Sequence, residues 1–273
     1  MAPIDRQYEM LGDGIADMAI LPTNEISQIV VLNAIADLPY HSPEARAASV
    51  ALWETYKTHF EEMGEYGNLV VLGTFVLPGR QILGLESLAT LQEVRGSRLW
   101  TPAGQMADLV AMLGAVPNAA AFPDLYETVA RGQVDGLLIT PGSARSAQVL
   151  DLATHQTLID GGLGSVSFAV AIRRDRWDAL SEEQRQAVLR AAEGLGARVG
   201  GANDNMEVEA QAEMGNIETM EASAELMEAI EPIAMAQYQA WKEAAFAKGL
   251  EDPDAAIVFY REAMAAAMAD GTQ

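Results

Sequence analysis

Few side chains in this sequence have the chemistry and spacing of a catalytic or metal site. The three histidines, His41, His59 and His155, share no spacing that would bind a metal. Cysteine is absent, which excludes a thiol nucleophile and a disulfide framework. The sequence also lacks the H-E-x-x-H, G-x-S-x-G and G-x-x-x-x-G-K-[ST] motifs. We therefore expect no catalytic residue, no metal site and no cofactor.

Side chains suited to binding a small molecule instead lie at the ends of predicted strands. Trp100-Thr101 ends a short extended run that starts at Ser97, and Thr140-Pro141 follows a strand from Val134 to Ile139. Ligands of parallel α/β sheets bind outside the carboxyl ends of the strands. These positions therefore predict a binding site. Phe75 and Phe122, the last residues of two further predicted strands, are candidates for the same site.

Residues 91–136 position these side chains by alternating strand, helix, strand, helix and strand. Such alternation predicts parallel strands joined by right-handed crossovers. Thr101-Pro102 predicts the N-cap and first turn of a helix that ends at Gly114. That helix has apolar residues at i, i+3, i+4 and i+7, namely Met106, Leu109, Val110 and Leu113.

Other segments predict the remaining elements. The nearly continuous apolar run from Asn68 to Phe75 is typical of a buried, parallel strand. Ser181 and Gln184 form a capping box at the start of a helix, whose pattern is interrupted at Gly200-Gly201. Two more helices are predicted, from Ala222 to Lys248 and from Asp254 to Ala269.

Composition limits the classes of function. The formal net charge of −22, from 39 acidic and 17 basic side chains, argues against a nucleic-acid partner. Half of the residues are hydrophobic, yet no apolar run approaches the roughly 20 residues that a membrane-spanning helix needs. We therefore expect a folded α/β protein with no membrane-spanning segment.

Several segments together resemble a known family. G-S-R-L-W-T-P-A-G, A-M-L-G-A-V-P and F-P-D-L-Y-E-T-V-A-R-G-Q-V-D-G follow one another between residues 96 and 136. R-R-D-R-W-D-A-L-S-E-E-Q follows at 173–184, and G-D-G-I-A-D-M-A and A-L-W-E-T-Y lie upstream. In this order and spacing, the segments resemble the dicarboxylate-type solute-binding proteins of TRAP (tripartite ATP-independent periplasmic) transporters.

The resemblance implies an α/β fold of the two-domain periplasmic-binding-protein type, class II, with a long helix that spans both domains. It implies domain I at residues 1–88 plus about 170–216, and domain II at 89–169 plus about 217–273. It further implies a non-enzymatic periplasmic protein, monomeric or dimeric, that delivers a ligand to the membrane subunits of the transporter. The alternative is a truncated or repurposed copy that acts as an enzyme or a structural subunit.

The start of the chain departs from that family. Met1 to Asp5 contains neither the basic nor the apolar part of a secretory signal. We expect that the signal and the first strand and helix of domain I, on the order of 30 to 50 residues, are missing. Truncation, a misassigned start codon and real loss of the segment are the alternatives.

The predicted ligand site departs from the family at Trp100. The resemblance implies an arginine there that clamps a carboxylate through two charge-assisted hydrogen bonds, whereas an indole offers one neutral donor and an apolar face. The hypothesis is that Trp100 makes the site accept an acid with an apolar or aromatic part. Arg98 is an alternative cation, because strand alternation places it on the same face as Trp100.

Other residues could supply the positive charge or the polar contacts of the ligand site. The N–H groups of the helix predicted at Thr101-Pro102 suit an anion. At the position of Arg173 the family more often has asparagine. Either Arg173 supplies the ligand-binding cation in place of the usual arginine, or it is a solvated residue at the start of a helix. The resemblance implies that Arg80 points into the cleft; the alternative is an exposed turn residue. It implies that the loop of Asn24 edges the cleft; the alternative is a solvated loop. It also implies that Thr140 hydrogen-bonds the ligand.

Overall fold

The computed structural model describes residues 6–102 and 104–271, and it contains nine strands within that part of the chain. Met1 to Asp5, on which the prediction of a missing signal depended, lie outside the described residues. In chain order the strands are β1 (Met18–Pro22), β2 (Leu69–Val76), β3 (Gln81–Gly84), β4 (Arg98–Trp100), β5 (Val116–Asn118), β6 (Gly136–Ile139), β7 (His155–Leu158), β8 (Ser167–Arg173) and β9 (Glu218–Glu221).

Eleven α-helices surround these strands within the described residues. They are α1 (Gln7–Gly12), α2 (Ala45–Thr55), α3 (Leu91–Val94), α4 (Gln105–Met112), α5 (Leu125–Ala130), α6 (Pro141–Ser146), α7 (Arg174–Ala179), α8 (Glu182–Ala192), α9 (Leu195–Glu213), α10 (Ala224–Ala247) and α11 (Pro253–Gly271). None of the helices in the described part of the chain has both the length and the apolar character required to cross a membrane.

The first sheet contains three strands in the order β1-β8-β2. Its central strand, β8, is antiparallel to both neighbours, with Pro22 and Phe75 each opposite Phe168. The predicted strand from Asn68 to Phe75 therefore exists as β2, but the prediction that it is parallel was wrong. Contact with both α2 and α9 gives β2 its continuous apolar sequence, and such burial does not depend on strand direction.

The second sheet contains six strands in the order β5-β4-β6-β3-β7-β9. Its strands β5, β4 and β6 are parallel, as the alternation of strands and helices in residues 91–136 predicted. Strand β3 is antiparallel to β6 and β7, and so joins this parallel unit to the rest of the sheet. The carboxyl ends of β4 and β6 consequently lie together, and they carry Trp100 and Thr140.

Each sheet has its own hydrophobic core, and we call the two bodies the first lobe and the second lobe. The first lobe joins its sheet to α2 and α11 through buried residues such as Leu52, Val76 and Tyr260. The second lobe has buried clusters on its sheet, represented by Leu99 and Leu109 in one and Leu137 in the other. The cleft between the lobes is the region in which Trp100 and Thr140 lie.

Helices α9 and α10 connect the lobes. Helix α9 contacts α2 and β2 of the first lobe and α6 of the second. The sequence predicted a break at Gly200-Gly201, but α9 runs through both residues, and the break lies at Gly194, which has a positive φ of 64°. Gly200 instead allows close packing, because a Cβ atom there would come within 2.6 Å of Ala45 O. Helix α10 contributes Ile230 to the second lobe and Trp241 to the first.

The C-terminal helix departs from the domain division predicted from the sequence. That division assigned residues 217–273 to the second domain, whereas α11 packs against α2 and contributes Ala256 and Tyr260 to the core of the first lobe. Strand β3, predicted to lie in the first domain, pairs within the second sheet. Chain order does not determine these assignments, because α10 carries the chain back from the second lobe to the first.

Candidate functional site

Two adjoining cavities occupy the cleft between the lobes. The first has a volume of ≈ 180 Å³ and the second a volume of ≈ 300 Å³. Asn24, Arg80, Pro102 and Val166 line both cavities, so the two are parts of one site. The first lobe supplies Asn24 and Asp37, and the second lobe supplies the side chains that follow β4 and β6. Arg80 lies in the loop that leads from the first sheet into β3 of the second. A cleft closed on two sides by different lobes suits a small molecule that both lobes hold.

Arg80 is the only cationic side chain among the described residues that line the two cavities. It lies in the loop before β3, it is 7% exposed, and its Nη1 donates a hydrogen bond to Ser165 O at 2.8 Å. Burial lowers the pKa of Arg80 to about 10, and the negative charge of Asp37 offsets part of that shift. The guanidinium therefore remains charged at neutral pH, with further N–H donors available to a ligand.

Asp37 lines the first cavity beside Arg80. Its Oδ1 atom is buried and has no hydrogen-bond partner among the described residues. Burial raises the pKa of Asp37 to about 7, and hydrogen bonds from Ser167 and the charge of Arg80 offset part of that shift. Sequence reasoning missed this residue because it lies in the segment from Ile26 to Leu38, whose mixed apolar pattern predicts no element.

Trp100 lines the second cavity from the end of β4. It is 4% exposed, and its Nε1 donates a hydrogen bond to Ala120 O at 2.9 Å. Phe122 lies beside it, with ring centroids 6.2 Å apart and an interplanar angle of 59°. Because the backbone occupies the only indole donor, Trp100 offers the second cavity an apolar face.

Thr140 lines the second cavity from the carboxyl end of β6. Its hydroxyl caps α6 by accepting a hydrogen bond from Ser143 N at 3.2 Å. Glu207 of α9 reaches the same helix end, where both of its carboxylate oxygens accept hydrogen bonds from Gly142 N at 3.1 Å. Glu207 therefore ties the start of α6, which Thr140 caps, to α9, a helix that contacts both lobes.

Asn24 edges both cavities in the turn that follows β1. Its Nδ2 donates a hydrogen bond to the carboxylate of the neighbouring Glu25 at 2.9 Å, and the side chain is exposed. Asn24 therefore lies at the rim, as the sequence prediction of a loop at the cleft edge requires.

The helix after β4 starts later than predicted. Thr101 is fully buried and caps no helix, and α4 begins at Gln105 after Gly104, which has a positive φ of 88°. Gly104 and Gln105 line the first cavity. The expectation that Thr101-Pro102 forms the helix N-terminus was therefore wrong, because the left-handed Gly104 turns the chain before the helix begins.

Arg98 does not reach the cleft. It shares the strand face of Trp100 by position, but its side chain is exposed and pairs with Asp135 through Nε at 3.0 Å and through Nη2. Arg98 Nη1 also donates a hydrogen bond to Gly132 O at 2.7 Å. Arg98, predicted from the sequence as an alternative cation, therefore lines neither cavity: β4 has only three residues, and its partners hold Arg98 at the outer end.

Arg173 lies at the opposite end of β8 from the cleft. The amino end of this strand carries Ser167 beside Thr23, whereas Arg173 is six residues further on, roughly 20 Å along an extended strand. Its Nη2 donates a hydrogen bond to Asp175 at 2.7 Å, and it lines a separate surface depression with Tyr8. The direction of β8 thus places Arg173 outside both cavities, at the start of α7, which agrees with its alternative interpretation as a helix-entry residue.

Phe75 lies in β2 of the first sheet and lines neither cavity. Its ring stacks on Phe168 of the neighbouring strand, with centroids 4.6 Å apart and an interplanar angle of 6°. The pairing of β2 with β8 places the two rings opposite each other. Phe75, predicted from the sequence as a ligand contact, is thus a packing contact of the first sheet outside both cavities.

Comparison with known proteins gives the geometry a family context. The family model described as DctP, bacterial extracellular solute-binding protein, family 7, matches residues 3–247. The outer membrane transporter protein TsaT of Comamonas testosteroni is 30% identical over 270 residues, which cover 97% of this chain and 80% of that protein. The C4-dicarboxylate-binding periplasmic protein DctP of Rhodobacter capsulatus is 29% identical over 116 residues, covering 41% and 34% of the two chains.

Solved structures of TRAP periplasmic solute-binding proteins share the fold. One from Bordetella bronchiseptica, with bound (R)- and (S)-mandelate, has a TM-score of 0.88 and 26% identity, over 97% of this chain and 85% of that one. Another from Rhodoferax ferrireducens, in complex with benzoate, has a TM-score of 0.81 and 21% identity, over 99% and 85%. The two-domain α/β fold predicted from the sequence is therefore confirmed.

Proposed function

Because this chain belongs to family 7 of the bacterial extracellular solute-binding proteins, we propose that it captures a small organic acid with an apolar or aromatic part. The acid occupies the two cavities between the lobes. The observation that carries this proposal is the pairing of one buried cation, Arg80, with an apolar aromatic face, that of Trp100, across one cleft.

Arg80 is the proposed anchor for the carboxylate. A guanidinium binds a carboxylate through charge-assisted hydrogen bonds, which are stronger where water is excluded. One N–H of Arg80 is held by Ser165 O, which keeps the side chain oriented before a ligand arrives. With Arg80 as the one cation that lines the cavities in the described part of the chain, acids with one carboxylate group are favoured over C4-dicarboxylates.

Trp100 and Phe122 are the proposed contacts for the apolar part of the acid. The second cavity, at ≈ 300 Å³, exceeds the ~150 Å³ of an apolar cavity that holds benzene. Mandelate, the ligand of the Bordetella bronchiseptica relative, combines one carboxylate with one phenyl ring. Acids of this kind carry one group for Arg80 and one ring for the two aromatic residues, all three of which line the second cavity. Thr140 and Asn24 are proposed polar contacts at the cleft wall and rim.

Capture is proposed to proceed by closure of the lobes. Helices α9 and α10 contact both lobes and are the natural hinge elements. A ligand that contacts both sides of the cleft binds the closed arrangement more tightly and shifts the population toward it. The closed protein, acting in the periplasm, would then deliver the acid to the membrane subunits of a TRAP transporter.

Isothermal titration calorimetry with mandelate and succinate tests the proposal. The wild-type protein should bind mandelate more tightly than succinate, and Arg80→Gln should weaken mandelate binding at least ~30-fold, the effect of ~2 kcal/mol lost from a buried charged contact. Arg98→Gln is the matched control, because that arginine lies outside the cleft and should leave affinity unchanged.

Two results would contradict the proposal. Equal affinity of the wild type and Arg80→Gln for mandelate, with thermal melts that confirm folding of both, would remove Arg80 as the anchor. Conversion of mandelate to another compound during prolonged incubation, detected by chromatography, would indicate an enzyme on this scaffold instead of a binding protein.

A further inference from the structure

We propose that Asp37 is a second ligand-binding residue, which selects acids whose carbon next to the carboxylate carries a hydrogen-bond donor. This inference rests on the proposed function and specifies the substrate class of the same cleft. The donor would be a hydroxyl or an ammonium group, as in 2-hydroxy and 2-amino acids.

The first observation is an unsatisfied acceptor inside the cleft. Asp37 lines the first cavity, yet its Oδ1 atom is buried and receives no hydrogen bond from the described residues. A buried oxygen without a donor is costly, and such atoms usually have a partner. A ligand that brings a donor into the cavity removes that cost when it binds.

The second observation is the arrangement of Asp37 and Arg80. Both line the first cavity, but Arg80 Nη1 donates to Ser165 O and no hydrogen bond joins the guanidinium to Asp37 Oδ1. The cavity thus presents cationic donors and an unpaired carboxyl oxygen to one ligand. A carboxylate with a neighbouring hydroxyl or ammonium carries the complementary pair of groups on adjacent carbon atoms.

The third observation is that the surroundings of Asp37 keep it desolvated. Burial raises its pKa to about 7, while the nearby Ser167 and the charge of Arg80 lower it only in part. Ser167 Oγ is itself committed to Thr23 Oγ1 at 2.8 Å. The hydrogen bonds from Ser167 leave Asp37 Oδ1 without a donor among the described residues, and an unsubstituted acid would leave the atom in the same state.

The experiment uses three acids that differ at one position. Mandelate, phenylglycine and phenylacetate share the ring and the carboxylate, but carry a hydroxyl, an ammonium and a hydrogen atom on the intervening carbon. Calorimetry with the wild type should give at least ~10-fold tighter binding of mandelate or phenylglycine than of phenylacetate, as expected for one buried hydrogen bond.

Two variants of Asp37 then separate charge from hydrogen bonding. Asp37→Leu should bring the affinities of the substituted acids to the level of phenylacetate, whose own affinity should not fall. Asp37→Asn keeps the shape and an acceptor oxygen but removes the charge, so it should retain mandelate and lose phenylglycine. If Asp37→Leu fails to fold, the isosteric Asp37→Asn still gives the test. Asp151→Asn, exposed and outside the cavities, is the matched control.

The outcomes are distinct. Equal binding of the three acids by the wild type, or an unchanged preference in Asp37→Leu, would overturn the role of Asp37 while the proposed capture of aromatic acids stands. No binding of any of the three acids by the wild type would overturn the proposed function, and this inference with it. A preference abolished by Asp37→Leu and retained by Asp151→Asn would support the assignment.

Discussion

Asp204 and Glu207, three residues apart on α9, cap helices that belong to different lobes. Asp204 accepts hydrogen bonds from Ala45 N at 2.7 Å and Arg46 N at 2.9 Å, at the start of α2 in the first lobe. Glu207 accepts two from Gly142 N at the start of α6 in the second lobe. Carboxylates at helix N-termini satisfy free N–H groups and interact favourably with the helix dipole.

Removing either cap should destabilise the protein by about 1 kcal/mol, the usual value of an N-terminal cap. Asp204→Ala and Glu207→Ala would be compared by urea unfolding. Glu209→Ala is the control, because Glu209 is exposed, forms a surface ion pair with Arg145 at 2.8 Å, and should change stability by a few tenths of a kcal/mol. Equal losses in Glu207→Ala and Glu209→Ala would contradict the capping role of Glu207.

Two adjacent glycines of α9 should respond oppositely to alanine. A Cβ atom on Gly200 would lie 2.6 Å from Ala45 O and from Arg46 Cα, so Gly200→Ala forces the helices apart at a cost of about 1–3 kcal/mol. A Cβ atom on Gly201 would meet only the Arg46 side chain at 3.8 Å. Gly201→Ala should therefore stabilise by roughly 0.5–1 kcal/mol, the difference in helix propensity.

Thermal or urea unfolding of Gly200→Ala and Gly201→Ala measures whether each substitution raises or lowers the free energy of unfolding. A stabilising effect of Gly200→Ala would show that α9 does not pack tightly on the start of α2. A destabilising effect of Gly201→Ala would show that the outward side of α9 is not open at this position.

The aromatic wall of the second cavity can be tested at a surface residue whose loss should not affect folding. Phe122 and Tyr126 are both 46% exposed, but only Phe122 lines the cavity. Phe122→Ala should weaken mandelate binding about 3- to 10-fold, since part of an apolar contact worth roughly 1 kcal/mol is lost. Tyr126→Ala is the control and should bind as the wild type does. Equal calorimetric affinities for all three proteins would contradict a ring contact at Phe122.

Stability should depend on pH through Asp37. Burial raises its folded-state pKa to about 7 from the ordinary 3.8 of an exposed aspartate, so between these values the folded protein binds a proton that the unfolded chain has released. Stability therefore falls as pH rises through this window. Asp37→Asn removes this dependence, and the variant should gain on the order of 2–4 kcal/mol relative to the wild type between pH 4 and pH 8.

His41 changes stability with pH in the opposite direction, and it is present in both the wild type and Asp37→Asn. Burial lowers its pKa to about 4 from 6.5, so the unfolded chain binds the extra proton between these values and stability falls as pH decreases. Comparing urea midpoints of the wild type and Asp37→Asn at pH 5 and pH 8 cancels the His41 contribution. Parallel pH profiles for the two proteins would show that Asp37 is not desolvated in the folded state.

Local sequence chemistry determined much of the secondary structure and the family. The spacing of Met106, Leu109 and Val110 predicted α4, and the Ser181–Gln184 capping box is present at the start of α8. The alternation in residues 91–136 predicted the parallel strands that bring Trp100 and Thr140 to one edge. These features depend on residues within a few turns of one another, which is why the sequence alone specifies them.

Tertiary structure decided which charged residues reach the cleft. Arg98, Arg173 and Arg80 were each candidates from the sequence, but the strand face of Arg98 does not reveal its pairing with Asp135, 37 residues away. The position of Arg173 depends on the direction of β8, and the role of Asp37 depends on the burial of its own segment, which has no regular sequence pattern. The sequence determined the helices, the strands and the family. The cation and the unpaired carboxylate at the site were decided by packing between distant segments, because burial, ion pairing and strand direction arise only when those segments meet.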